Sequence, residues 1–213
     1  MPVLKNNKYA IALHTSTPQL GIAINNYHED SRTQVWDLGR GLASGLHQHL
    51  QEIVAPQTWQ DLEFMAVAKG PGGFTGTRVG VVTARTISQQ LNIPLFGISN
   101  LAAVAAAKNN LEWDLLAVEM DARRGQLFVG IYQLDNQGYL QTYLEDTLMT
   151  REAWQQTLND LKLPYQLITA DGDIASTVTN VMNLAYASWQ QGESPHWSEV
   201  VPFYGQHPVD NKQ

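Results

Sequence analysis

"AVAKGPGGFTGTRVGVVTARTI", residues 66–87, is the stretch whose reading decides the fold. An apolar run of strand character ends in a turn carrying Gly70, Pro71, Gly72 and Gly73, and the turn opens a helix in which glycine returns at 76 and 80. Strand, glycine turn and helix in that order make an α/β unit. Such a turn can hold a phosphate, and two known forms of that site are testable from spacing. A P-loop needs G-x-x-x-x-G-K-[ST], because the lysine neutralises phosphate charge, and no Gly-Lys pair occurs in the chain. A dinucleotide fingerprint needs G-x-G-x-x-G, but counting from Gly70 the sixth position is Thr75. What remains is a helix N-terminus, whose free N–H groups attract anions. Lys69, Gly72 and Gly73 are therefore candidates for an anion or nucleotide contact, with a tight turn between packed elements as the other reading.

The helix after the turn suggests a different use for its glycines. Gly76, Gly80 and Ala84 recur every four residues and form a stripe poor in side chains, while Val79, Val82 and Thr86 form a β-branched face. Glycine inside a helix costs roughly 0.5–1 kcal/mol against alanine, so its retention points to close backbone approach. The preceding helix has the same habit, with Gly41 and Gly45 beside Leu38, Leu42, Leu46 and His49. Two such stripes either pack on each other within the chain or present a close-packed face to a partner.

Working outward, one order of elements occurs twice. Residues 9–13 and 20–25 read as strands, with 34–36 as a third, followed by a helix along Leu38, Leu42, Leu46, Leu50 and Ile53. A strand at 64–68, a helix at 75–91, a strand at 95–98 and a helix at 100–108 capped by Ser99 complete the first half. The second half has a strand pair at 115–120 and 126–134, a helix at 151–161 capped by Thr150, a strand at 165–170 and a helix at 174–189. The expectation is an α/β protein of two lobes, residues 1–110 and 111–213, with a cleft between them and a return strap from Pro195 onward.

Composition narrows the functions. The chain has 213 residues, 44% of them hydrophobic, enough for a real core. Twenty acidic residues against 13 basic ones give a formal charge of −7, which opposes a nucleic-acid backbone. Contact with RNA is thus expected only alongside a basic partner. The absence of cysteine excludes a disulfide framework, thiol nucleophiles and Cys-ligated zinc. The uncharged stretch 92–107 is interrupted by Pro94 and Gly97 and is too short for a membrane span, so a cytoplasmic protein is expected.

GPGGFTGTRVGVVTARTISQQLNIPLFGISNLAAVA, residues 70–105, resembles the GPGSFTGxRxG segment and the helix and IPLxGxSxLxAxA run that follow it in the bacterial TsaB family. DARRGQLFVGIY, residues 121–132, is similar to that family's DARRGEVY hairpin, and VPFYGQHPV, residues 201–209, to its C-terminal P-x-YLR stretch. The resemblance implies the actin-like ATPase fold of two RNase H-like lobes. It also implies a non-catalytic dimerisation subunit that binds TsaD, its catalytic paralogue, in the complex placing threonylcarbamoyl on the adenosine next to the anticodon of tRNAs that read A-starting codons. TsaE is the further implied partner, with a homodimer as the arrangement when TsaD is missing and tRNA met only through the complex. The interface it implies runs over the two glycine-bearing helices: Leu38, Gly41, Leu42, Gly45, Leu46, His49, Gly76, Arg78, Val79, Gly80, Thr83 and Ile87. No cofactor is implied for the isolated chain, with ATP and magnesium admitted in the complex.

Departures from the family pattern bear on chemistry. The family's first hairpin reads I-D-T-S where this chain has A-L-His14-T-S, and imidazole does not replace a carboxylate for a hard cation. His47 and His49 are two apart and diverge around a helix, unlike a metal-binding H-x-x-x-H pair. Glu145 with Asp146, and Asp171 with Asp173, read as solvated turn acids, and Arg123 with Arg124 as a hairpin tip. The alternative function is a stand-alone ATP-dependent phosphotransferase or hydrolase working in its own cleft.

Overall fold

Small and large side chains alternate along the first strands, and that alternation determines how the first lobe is covered. In the computed structural model, which describes residues 2–108, 113–172 and 174–203, β1 (Tyr9–His14), β2 (Gln19–Asn25), β3 (Ser31–Asp37), β4 (Leu62–Ala68) and β5 (Leu95–Ile98) form one sheet in the order β3-β2-β1-β4-β5. The first three strands are an antiparallel meander, and β1, β4 and β5 run parallel. One face presents Ile11, Leu13, Leu20, Ile22, Met65 and Val67 to helices α1 (Leu42–Val54) and α2 (Phe74–Leu91). The other face presents Ala10, Ala12, Ala23, Ala66 and Ala68. Methyl side chains let a helix lie close to a sheet.

The second sheet repeats the plan with one strand fewer. β6 (Leu115–Asp121), β7 (Gln126–Leu134), β8 (Leu140–Thr150) and β9 (Tyr165–Thr169) take the order β8-β7-β6-β9, a meander followed by a parallel strand. Each sheet is thus a meander extended by parallel strands, and the pair makes a two-lobed α/β architecture. Helix α4 (Arg151–Asp160) covers one face through Trp154 and Leu158, and its Thr150 cap accepts from the Ala153 N–H at 3.1 Å as the sequence suggested. Strand β8 was not read from sequence. Its placement corrects the reading of Glu145 and Asp146 as turn acids, since both lie in this strand.

The remaining two helices are exchanged between the lobes. Helix α3 (Asn100–Lys108) follows β5 in the first half yet packs Leu101, Val104 and Ala105 on Leu116, Val118, Tyr132 and Ile168 of the second sheet. Helix α5 (Val178–Gln190), entered through a 3-10 turn at Ile174–Thr177, packs Val178, Val181, Met182 and Ala185 on the alanine face of the first sheet. The two helices also touch each other. The boundary expected at 110 and 111 lies outside the described residues. Division by chain order assigns α5 to the second lobe, whereas its contacts complete the first. The strap then runs beside β5, where the Leu95 N–H donates to the Pro195 carbonyl and the Phe203 N–H to that of Lys69. Residues 204–213, which hold the rest of the expected strap and the C-terminal motif from its fourth residue on, lie outside the described residues.

Because α5 lies close to the alanine face, enlarging one of these methyl groups must push it away. Ala66, fully buried, is the test position. Ala66→Leu is expected to lower stability by roughly 1–3 kcal/mol through overpacking, measured by urea unfolding of the isolated chain.

Candidate functional site

A cleft of about 1120 Å³ opens between the lobes. One wall is the β1–β2 turn with the Gly72–Gly73 turn and the start of α2; the other is the β6–β7 hairpin with Arg123 and Arg124 and the end of β9 with Asp171. Arg123 and Arg124 do form a hairpin tip, with φ of 65° and 52° ahead of Gly125 at 76°. Asp121 beside them is bonded to Arg151 at 3.3 Å. Asp173 lies outside the described residues.

The glycines of the opening stretch are accounted for by packing inside the chain. The Gly73 N–H donates to the Ser16 carbonyl at 2.7 Å, and a Cβ on Gly72 would come within 2.7 Å of the Ser16 Cβ. A Cβ on Gly76 would sit 2.0 Å from the Thr15 carbonyl oxygen, and one on Gly80 2.1 Å from Thr15 Oγ1. Thr15 completes the contact by donating its hydroxyl to the Gly76 carbonyl at 2.8 Å. Helix α2 therefore presses its glycine stripe onto the β1–β2 turn. Thr15 went unnoticed in the sequence because nothing local marks a threonine as the knob for a glycine stripe 61 residues away.

This geometry corrects part of the expected partner interface. Gly80 and Thr83 are buried on the inner side of α2, and Leu42 and Leu46 on the inner side of α1, so none of the four is available to a partner. Gly41 and Arg78 are exposed, and Leu38, Gly45, His49, Gly76, Val79 and Ile87 are half-buried. His49 stacks on Trp36 at 4.4 Å and bonds Glu52 at 3.1 Å, while His47 is exposed. The outward stripe of α2 is Phe74, Arg78, Val82 and Thr86, each four residues after the last. Phe74 is 43% and Val82 59% exposed, and the Arg78 guanidinium lies 5.0 Å over the Phe74 ring. The β-branched face expected from sequence is split, because Val79 packs against the core while Val82 and Thr86 face outward with Phe74 and Arg78.

Lys69 is also relocated. It lines a smaller pocket of about 290 Å³ with Gly97, Glu193 and Glu199 rather than the cleft that holds Gly72 and Gly73. Its charge acts instead on Asp146, whose carboxylate accepts from Ser99 and Tyr132. Burial raises the Asp146 pKa above the usual carboxylate value, against the lowering effect of those two donors and Lys69. Burial, then the Asp146 charge, likewise pushes the Tyr132 phenol up.

His14 ends β1 wholly buried, and neither ring nitrogen has a hydrogen-bond partner among the described residues. Burial alone lowers its pKa to about 4, so it is neutral at pH 7. A neutral, buried imidazole in place of a carboxylate does not fit a magnesium site at this strand end. Among the described residues no group of three or more acids and histidines could hold a metal ion, and no helix is long and apolar enough to cross a membrane.

Two predictions follow from these contacts. Gly80→Leu is expected to lower the melting temperature of the isolated chain, at a cost of about 1–3 kcal/mol or more, because the side chain enters occupied space at Thr15. For His14 the folded pKa lies below the unfolded value of 6.5, so the unfolded chain takes up its proton first as pH falls. Its contribution to stability is intact above pH 6.5 and lost progressively from there to about pH 4, by roughly 3 kcal/mol in total. Urea unfolding across that window should show His14→Leu less pH-dependent than the unaltered chain by this amount.

Comparison with known proteins places this geometry. A family model described as TsaD, tRNA N6-adenosine threonylcarbamoyltransferase, matches residues 46–202, roughly three quarters of the chain. A Bacillus subtilis protein named tRNA threonylcarbamoyladenosine biosynthesis protein TsaB is 38% identical over 53% of this chain and 48% of its own length. The Escherichia coli protein of the same name is 35% identical over 37% of this chain and 34% of its own. The chain thus spans about half the length, or less, of these relatives. The solved structure titled YeaZ from Pseudomonas aeruginosa superposes with a TM-score of 0.73, covering 92% of this chain and 99% of that one at 20% identity, a likeness of fold.

Proposed function

The chain belongs to the family of that TsaD model, and we propose that within it the chain falls in the TsaB group and acts as a non-catalytic, partner-binding subunit in tRNA threonylcarbamoyladenosine biosynthesis. The observation that carries the reading is the outward stripe of α2, where Phe74, Arg78 and Val82 place an apolar and cationic surface beside the exposed side of α1. An exposed phenylalanine and valine with an arginine between them on one helix face favour a protein partner over solvent. The proposed partner is TsaD, with TsaE joining the assembly and a homodimer forming through the same stripe when TsaD is missing. The charge of −7 supports contact with tRNA only through the assembly. The neutral His14 weakens the alternative of a stand-alone ATP-dependent enzyme, so ATP and magnesium are assigned to the complex. The cytoplasm, where tRNA is modified, is the proposed compartment.

The decisive experiment is a binding titration of the isolated chain with TsaD from the same source. Val82→Glu is expected to weaken binding at least tenfold while leaving the melting temperature within a degree or two, since Val82 touches solvent and surface changes alter stability by only about 0.5 kcal/mol. An unaltered titration removes this stripe from the interface. Magnesium-dependent ATP turnover by the isolated chain would favour the alternative.

A further inference from the structure

Ser99 and Asn100 stand where the chain leaves β5 of the first sheet for α3, which packs on the second. Their side chains fasten opposite parts of the molecule. Asn100 is fully buried; its Oδ1 accepts from the Gly70 N–H at 3.3 Å, its Nδ2 donates to the Pro71 carbonyl at 2.8 Å, and its own N–H donates to the Gly70 carbonyl at 2.9 Å. These bonds hold the turn that continues into Gly72 and Gly73 on the cleft wall. The Ser99 hydroxyl accepts from the Ala102 N–H at 3.1 Å, capping α3, and donates to Asp146 Oδ2 at 2.5 Å. The other Asp146 oxygen accepts from Tyr132, whose hydroxyl lies 3.2 Å from that of Ser99.

The second sheet is shaped around this carboxylate. The β7–β8 register is irregular between Val129 and Ile131, at Gly130. A Cβ on Gly130 would lie 2.8 Å from the Tyr132 hydroxyl and 2.9 Å from Asp146 Oδ1. A strand irregularity with a glycine is a device that re-aims neighbouring side chains, and here it makes room for the acid and the phenol. Lys69, at the end of β4, and Glu145, next along β8, are the other charges that act on Asp146. One carboxylate thus gathers the end of the first sheet, the start of α3 and two strands of the second sheet.

We propose that Asp146 is the pin of a coupling device that fixes the angle between the lobes, and with it the width of the cleft, to the position of the Gly70–Gly73 turn. The transmission is a contiguous chain of hydrogen bonds: turn to Asn100, Asn100 to its neighbour Ser99, and Ser99 to Asp146 and Tyr132. Without the carboxylate, the Ser99 and Tyr132 hydroxyls lose their shared acceptor while α3 keeps its cap, so the second sheet gains limited play against the start of α3 within the packing that still joins the lobes. All of these contacts lie within one chain, whichever partner covers α2.

Because the chain lacks cysteine, spin labels can be placed at will. Gln34 on β3 and Gln155 on α4 are exposed and lie in different lobes, while Gln34 with Gln89 on α2 reports within the first lobe. Double electron–electron resonance between labels at Gln34→Cys and Gln155→Cys measures the interlobe distance. Asp146→Ala is expected to broaden that distribution and move its mean by several ångströms, with the Gln34–Gln89 distance unchanged. Tyr132→Phe, which removes one donor and leaves the Ser99 bond, should produce a smaller change in the same direction. If Asp146→Ala does not fold, Tyr132→Phe decides alone. An interlobe distribution identical to that of the unaltered chain, in whichever folded variant is measured, overturns the proposal.

Discussion

The close contact of α5 with the alanine face of the first sheet is the constraint on which the rest of the structure depends. Ala10, Ala12, Ala23, Ala66 and Ala68 leave a shallow surface that only a helix can fill, and Val178, Val181, Met182 and Ala185 supply it. That helix follows the second sheet in the chain, so the first sheet is covered on both faces only when the second lobe is in place. The debt is mutual, since the second sheet takes α3 from the first half. Sheets covered on one face by their own helices and on the other by a borrowed one cannot behave as independent units. Aromatic contacts reinforce the exchange: Tyr27 beyond β2 stacks on Tyr186 of α5 at 3.5 Å, and Trp189 stacks on Phe64 at 5.9 Å.

On the opposite face of the first sheet, the same physical device has a different result. Helix α2 approaches the β1–β2 turn so closely that Gly76 and Gly80 have no room for a methyl group. The loss of helix propensity at two glycines is offset by a part-buried hydrogen bond from Thr15 and by the packing of Val81 and Ala84 in the core. Pressing that stripe inward turns the stripe of Phe74, Arg78, Val82 and Thr86 outward. The apolar surface on α2 is thus the geometric counterpart of the glycines.

Much of this was legible because it is written in local periodicity. The positions of α2 and α3, the Ser99 and Thr150 caps and the two-lobed repeat follow from spacing and cap chemistry, which act within a few residues, whereas the strap was legible only as a strap and not by its place beside β5. Strand β8 did not, because its half-buried pattern of Leu140–Thr150 alternates weakly and it follows a polar turn. The exchange of α3 and α5 was also hidden, since helix periodicity shows that a face is apolar but carries no information about which sheet it meets. The inward direction of the glycine stripe depends on Thr15, and the role of Asp146 depends on Ser99 and Tyr132, 47 and 14 residues away. Such long-range pairings leave no trace in a local window.

The outer stripe and the cleft share a beginning. Phe74 follows Gly73, whose N–H is held by the Ser16 carbonyl on the cleft wall, and Gly70 and Pro71 just before are held by Asn100. A load on the first turn of α2 therefore falls on the same few backbone atoms that shape the cleft. Helix α2 can transmit it only as a rigid body, because Gly76 and Gly80 lock it against Thr15 with no slack for sliding. The softer route runs through the turn and Asn100 to Ser99, where the contacts are hydrogen bonds rather than backbone in van der Waals contact. This arrangement places the deformable link between the lobes and the stiff one beneath the surface proposed for a partner.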